Sequence, residues 1–338
     1  MRFENVSIHS LAHFDAPMRV TSQEIDSALT DTYQRLGMPA GLLESLTGVR
    51  ARRFWQEETQ PSDAAALAGH ALLEQQNFDR SRIGALISTS VCRDYVEPSV
   101  ACFVHNRLGL SETCLNLDLS NACLGFVDGM QLVGNMIERG QIDYGLIVDG
   151  ESSRRVVEST LARLSAADCD AEMFRQQIAT LTVGSGAVAM LLGRSDICPD
   201  GHQFLGGVSL AATEHNQLCR GQLDVGITDT QNLLKYGVDL ASRTWARAQL
   251  ELGWESDSVD MFALHQVSHL HCQELSRALR FPLERAFLVY PEFGNVGPAS
   301  IPLVLSHANQ NERLNPGDRV VLGGIGSGLN CTAAGVIW

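Results

Sequence analysis

Four side chains in this sequence have the types and settings that acyl chemistry uses. Cys123 lies in Leu117-Asp-Leu-Ser-Asn-Ala-Cys123-Leu-Gly-Phe126, where an apolar strand-like run gives way to a helical pattern through Met130, Val133, Met136 and Ile137. A helix N-terminus carries unpaired N–H groups and a partial positive charge, which predicts a more acidic thiol and a better nucleophile. Ala122 and Gly125 are small and predict room for a substrate to approach. The structural alternative is an ordinary buried cysteine. His265 closes the apolar run Met261-Phe-Ala-Leu264 and is followed by Gln-Val-Ser, which aims it at a cleft. An imidazole there can ionise a thiol or hydrogen-bond a thioester oxygen, although a core histidine or a surface cluster with His269 and His271 reads equally well. Asn295 sits in Phe293-Gly-Asn-Val-Gly-Pro-Ala-Ser300, ordinary turn chemistry that also offers an N–H to an enolate oxygen without a titrating group. Glu97 precedes Pro98 and reads either as a solvated loop carboxylate before a helix or as a base.

Positioning these residues requires alternating buried strands and helices. Val6-Ser-Ile8, Ile83 to Ser88, Tyr144 to Asp149, Gly184 to Leu192 (after a tight glycine turn) and Met261 to Leu264 read as strands. Thr21-Ser-Gln-Glu24 is a helix-capping box, Pro61 opens another helix, a helix begins near Pro98, and Thr230 to Leu252 is a long amphipathic one. Residues from Glu151 to Thr180 are polar and mostly helical, the pattern of an insertion. Asn295 stands 172 residues after Cys123, and Pro316 stands 175 residues after Gln141 in a similar local pattern. A nearly constant offset over ordered elements implies an internal duplication, with an N-terminal half at 1–195 carrying an insertion at about 151–182 and a C-terminal half at 196–338. The class is α/β, and the duplication brings Cys123, His265 and Asn295 to related strand ends of two lobes, where chemistry gathers in such sheets.

Composition bounds the rest. The chain has 338 residues, 45% hydrophobic and 19% charged, enough for a large core. No stretch reads as a signal peptide or membrane helix, and nine scattered cysteines without a C-x-x-C pair fit a reducing cytoplasm better than a disulfide framework or zinc site. The net charge of −14, with Lys235 the only lysine, disfavours nucleic acid and an acidic carrier protein. The glycine-rich loops lack the acidic ribose partner or phosphate-loop lysine of nucleotide sites, so no cofactor and no metal are expected.

Five segments together resemble the thiolase-superfamily condensing enzymes of the ketoacyl-synthase III type: Ser120-Asn-Ala-Cys123-Leu-Gly-Phe126, Gly184-Ser-Gly-Ala187, His265-Gln-Val-Ser268, Gly294-Asn295-Val-Gly-Pro-Ala-Ser-Ile-Pro302 and Gly324-Ile-Gly-Ser-Gly328. Within that superfamily Arg93-Asp-Tyr-Val-Glu97-Pro-Ser99, Asp149-Gly-Glu151, Leu218-Cys-Arg-Gly221 and Gly326-Ser327-Gly-Leu-Asn330-Cys331 are similar to the OleA branch, which joins two acyl-CoA molecules head to head in long-chain olefin biosynthesis. The resemblance implies a five-layered αβαβα fold and a homodimer. It implies Cys123 as nucleophile with His265 and Asn295, and Glu97 as a base placed in the partner's site. Gly326, Ser327 and Gly328 fall in the oxyanion region. It also implies a non-decarboxylative Claisen condensation of fatty acyl-CoA giving a 2-alkyl-3-ketoacyl product, with downstream olefin-pathway enzymes as partners. The alternative is a carrier-dependent ketoacyl synthase III that uses malonyl carrier protein. Against it, such enzymes carry a large apolar residue where Glu97 stands, and a docking arginine where Leu270 stands. Leu42 and Leu46 replace the tryptophan and arginine that hold the CoA adenine in that group.

Overall fold

The computed structural model describes all 338 residues. Strand β1 (Val6–Asp15) is followed by β2 (Met18–Thr21), α1 (Ser22–Ala28), α2 (Thr30–Leu36), α3 (Leu42–Thr47) and β3 (Ala51–Phe54). Thr21 caps α1 with the expected reciprocal box: its side chain accepts from Glu24 N–H, and Glu24 accepts from Thr21 N–H. Then come α4 (Pro61–Gln75), β4 (Ile83–Ser88), α5 (Val100–Leu108), β5 (Leu115–Asp118), α6 (Gly125–Glu138) and β6 (Tyr144–Glu151). Helices α7 (Arg154–Ser165) and α8 (Ala171–Gln177) and a 3-10 turn (Ile178–Thr182) precede β7 (Gly186–Arg194). Strand β8 (His202–Ala211), the small hairpin β9 (Cys219–Gly221) and β10 (Gly226–Thr228), and α9 (Thr230–Leu252) come next. The chain ends with β11 (Met261–Leu264), α10 (His269–Leu279), α11 (Tyr290–Phe293), α12 (Ser300–Gln310), β12 (Arg319–Gly326) and β13 (Asn330–Ile337).

The strand order β11-β12-β13-β8-β1-β7-β6-β4-β5 is continuous, yet it joins two similar sheets. In the first, β5, β4 and β6 are parallel and β7 returns antiparallel to β1. In the second, β11 and β12 are parallel and β13 returns antiparallel to β8. The counterpart of β5 has shrunk to a single parallel bridge from Ala286 to Phe262. The two sheets are stitched at Ser7↔Gln203 and Ile8↔His202, extended by the bridge Arg2↔Gly206 before β1. Strand β1 is ten residues long, well beyond Val6-Ser-Ile8, because it pairs with β7 from Val6 to Asp15 except at a bulge at His9.

Five layers follow from where the apolar side chains go. The largest core cluster joins Phe126, Met130 and Val133 of α6 and Leu303, Val304 and Ala308 of α12 to strands of both sheets. These helices are therefore the shared central layer. Ala65, Leu72 and Val104 of α4 and α5 cover the outer face of the first sheet. Leu240 and Trp245 of α9 and Leu275 of α10 cover that of the second. Each fully buried leucine or phenylalanine contributes about 1.5–3 kcal/mol to this arrangement. The helices from Arg154 to Thr182 pack with α1–α3 in a separate cluster around Tyr33 and Phe174. No helix is long and apolar enough to cross a membrane.

Candidate active site

Cys123 sits two residues before α6, and Ala122 holds a left-handed φ of 45° to make the turn from β5. For a residue with a Cβ that conformation is strained, as turns presenting reactive groups often are. Gly125 serves a different purpose from substrate room: a Cβ there would stand 3.0 Å from the Thr89 carbonyl oxygen, so the helix start and the Thr89 loop press together. The thiol also departs from expectation. Burial pushes it up to about 12, with the nearby Cys219 and Glu151 adding to the shift, so desolvation outweighs the helix end.

His265 follows β11 and extends its parallel ladder, donating its N–H to the Gly323 carbonyl at 2.8 Å. It is buried, not part of a surface cluster. Its Nε2 lies 3.0 Å from Asn295 Oδ1, which also accepts the Gly297 N–H at 2.9 Å. That second bond fixes the amide orientation. Nε2 is therefore the donor, and the Asn295 NH₂ is left without a protein acceptor. The Gly297 bond makes an Asx turn, as the turn reading expects, and the NH₂ is left as an unused donor. Burial lowers His265 to about 4, keeping the imidazole neutral, while its Nδ1 is buried without a partner.

Three sets of contacts lock these groups together. The Gln266 amide donates to Phe287 O at 2.6 Å and accepts from Val289 N at 2.9 Å and Tyr290 N at 3.2 Å, fixing the approach to the Asn295 turn. The turn is pinned to the segment before β7, with Gly184 N donating to Asn295 O at 2.8 Å and Asn295 N to Thr182 O at 3.0 Å. Gly184 has no left-handed φ and makes no tight turn; it is glycine because a Cβ would lie 1.9 Å from Phe293 O. On the other side, the β12–β13 hairpin of Gly326, Ser327 and Gly328 packs on the Cys123 turn. A Cβ on Gly326 would stand 3.1 Å from Leu124 Cγ, and Asn330 Nδ2 donates to Asn121 Oδ1 at 3.1 Å. A Cβ on Gly324 would meet His265 Cβ at 2.7 Å and Leu124 Cδ2 at 3.4 Å, so the histidine and the cysteine turn adjoin over that glycine.

Glu97 is not brought to this cluster by its own chain. It lies on the exposed loop between β4 and α5, without a hydrogen bond or ion pair to Cys123, His265 or Asn295, and Pro98 precedes rather than begins α5. Sequence reasoning quoted Asp149-Gly-Glu151 only as a resembling segment and gave neither carboxyl a role beside the site. Asp149 lies in β6 as read, and Glu151 is the last residue of that strand rather than the polar start of an insertion; both are buried. Burial, and for Asp149 the adjoining Glu151 charge, raise both groups. Their place directly after the apolar Gly145-Leu-Ile-Val run was the available signal.

A two-lobed α/β fold with cysteine, histidine and asparagine at the junction of duplicated halves defines a condensing acyltransferase of the thiolase superfamily. Residues 117–211 match 3-oxoacyl-[acyl-carrier-protein] synthase III and residues 250–338 match its C-terminal domain, and the chain belongs to this family. Over the whole of both chains it is 46% identical to an acyl-CoA:acyl-CoA alkyltransferase of Xanthomonas campestris and 39% identical to one of Shewanella oneidensis. Cerulenin-bound OleA of Xanthomonas campestris superimposes with a TM-score of 0.98 at 46% identity, covering 100% of this chain and 98% of that one. A variant of the same protein with bound lauric acid and lauroyl-CoA matches with a TM-score of 0.97, covering 99% of this chain and 100% of that one. The chain is thus an acyltransferase of the OleA type.

Proposed function

We propose that the protein joins two fatty acyl-CoA molecules by a non-decarboxylative Claisen condensation. Cys123 attacks the first thioester; because its thiol is protonated at rest, the proton leaves in the same step, through the neutral His265, to the departing CoA sulfur. An acyl-cysteine remains. Glu97 of the other subunit takes the α-proton of the second acyl-CoA. The resulting enolate oxygen accepts from the Asn295 NH₂ and from the His265 Nε2–H, which turns from Asn295 Oδ1 to the ligand. Its carbon attacks the acyl-cysteine carbonyl, whose oxyanion faces the backbone of Cys123 and of Gly326, Ser327 and Gly328. The carbon–sulfur bond to Cys123 breaks, and hydrolysis of the remaining CoA thioester gives a 2-alkyl-3-keto acid. The observation that carries this reading is the His265–Asn295 pair, with its amide fixed so that a donor stays free beside the Cys123 turn.

An exposed sheet edge suited to a second copy supports the part given to Glu97. Strand β5 is an unpaired sheet edge with Leu115 exposed, and such edges are normally covered. The loop tip beside it exposes Tyr95 and Val96, and Asp118 of β5 caps α5 by accepting from Val100 N–H and Ala101 N–H. An open strand edge and an exposed apolar loop tip on neighbouring elements suit a second copy. The resident chemistry needs no metal or prosthetic group, since CoA thioesters are the substrates.

The test is Glu97→Gln with a single long acyl-CoA. The variant should release one equivalent of CoA and accumulate acylated Cys123, yet lose condensation by ~10²–10⁴-fold, the usual cost of removing a general base. A Glu97→Gln enzyme that condenses at the wild-type rate, or a wild type active only with malonyl carrier protein, refutes the reading.

A further inference from the structure

The end of β6 grips the root of the Glu97 loop. Thr89 N donates to Val148 O at 2.9 Å, Thr89 Oγ1 to Asp149 Oδ2 at 2.6 Å and Gly150 N to Ser90 Oγ at 2.8 Å. Val91 N donates to Glu151 Oε1 at 2.6 Å, and the Cys92 thiol to Ser152 O at 3.2 Å. Further along, Asp94 accepts from Ser62 N and Oγ, leaving Tyr95, Val96 and Glu97 as an exposed tip. Glu151 also faces the site itself. Its Oε2 lies 3.7 Å from the position a Cβ on Gly297 would take, next to the Asn295 turn, and its charge is felt at Cys123. No arginine or lysine pairs with it, and the only other carboxyl beside it is Asp149. A buried carboxyl with no cation, one face on the loop root and the other on the two catalytic turns, is costly unless its hydrogen bonds are used.

We propose that Glu151 is a positioning residue for the base: its carboxyl fixes the root of the loop whose tip presents Glu97, so that Glu151 of one protomer governs condensation in the site of its partner. This rests on the reading that Glu97 acts across the dimer. Glutamine keeps an oxygen for Val91 N–H and should serve; methionine keeps the volume and loses the acceptor.

The experiment uses the whole dimer and follows CoA burst, condensed product and melting temperature. Glu151→Met should stay folded and keep its burst within ~3-fold, while condensation falls ~10²-fold, the effect of displacing a reacting group by ~1 Å. Glu151→Gln should condense within ~5-fold of wild type. Heterodimers then locate the effect. Pairing a Glu151→Met chain with a Cys123→Ala chain leaves one live cysteine served by an intact loop, and it should condense. Placing both substitutions on one chain opposite a wild-type chain leaves one live cysteine served by the loosened loop, and it should not. The reverse pattern, a normal Glu151→Met, or a folded Glu151→Gln that fails to condense overturns the inference. Glu97→Ala in the same two pairings tests the underlying reading: if Glu97 follows its own chain's cysteine, that reading fails, whereas Glu97 acting in trans with Glu151 acting in cis overturns only the present inference.

Discussion

Gly184→Ala should disable the enzyme without unfolding it. The added methyl would lie 1.9 Å from the Phe293 carbonyl oxygen, and Arg52 Cβ at 3.4 Å closes the other side. Real Cβ atoms essentially never come within 3.0 Å of such an atom, so the carbonyl must retreat by at least ~1 Å. Retreat is resisted by Gly184 N to Asn295 O and by Asn295 N to Thr182 O, the two bonds that hold the turn. The displacement therefore passes to Asn295 and, through Oδ1, to His265. Overpacking of this kind costs about 1–3 kcal/mol of stability, a few degrees in the melting temperature of a chain this large. A ~1 Å error in a positioning residue costs condensation ~10²-fold. Gly221→Ala is the control, since nothing lies within 4 Å of its added methyl. The assays are thermal melting and condensed product from a long acyl-CoA. Full turnover in Gly184→Ala, with the melting temperature unchanged, would refute the claim that this contact places Asn295.

Two further outcomes follow from burial. With the Cys123 thiol held at about 12, its thiolate fraction rises about tenfold per pH unit, so iodoacetamide labelling of that residue should climb steadily from pH 7 to pH 10; a plateau near neutrality would mean a stable thiolate–imidazolium pair instead. Trp55→Phe should destabilise the protein by about 1–3 kcal/mol in urea unfolding, because the buried indole N–H donates to Glu151 O at 2.8 Å and that carbonyl would lose its partner; a change under 0.5 kcal/mol would show the carbonyl finds another donor.

The sequence carried the parts of this fold that depend on local pattern. Ile83 to Ser88, Met261 to Leu264 and Thr230 to Leu252 stand where their hydrophobic periods and caps put them. The repeated order of elements is also real: β4, α6, β6 and β7 are answered by β11, α12, β12 and β13. What escaped depends on neighbours distant in sequence. Gly125 and Gly184 read as room and as a turn; each is a point where two backbones meet. Glu151 read as the first residue of a polar insertion, because polarity in one dimension does not separate a solvated carboxylate from a buried pair. Cys123 stands at a helix start as read, yet that position sets only one of the forces on its thiol, and burial by the second half is stronger.

That last point explains why the site is built from two halves. Cys123 lies on the turn into α6 in the first half, and His265 and Asn295 lie directly after β11 and on the turn before α12 in the second. Neither half alone encloses a dry cleft. The enclosure forms where β12 and its hairpin lie against Leu124 and Asn121, and where the Asn295 turn clamps onto Val183 and Gly184 of the first half. The same packing that removes water from Cys123, raising its thiol, strips water from the oxygen positions that His265 and Asn295 face, where each hydrogen bond acts in a lower dielectric. On the proposed mechanism, a protonated thiol and strong enolate donors are thus two consequences of one interface. On that mechanism the thiol loses its proton during attack, and the same pocket is where the unactivated α-carbon is deprotonated.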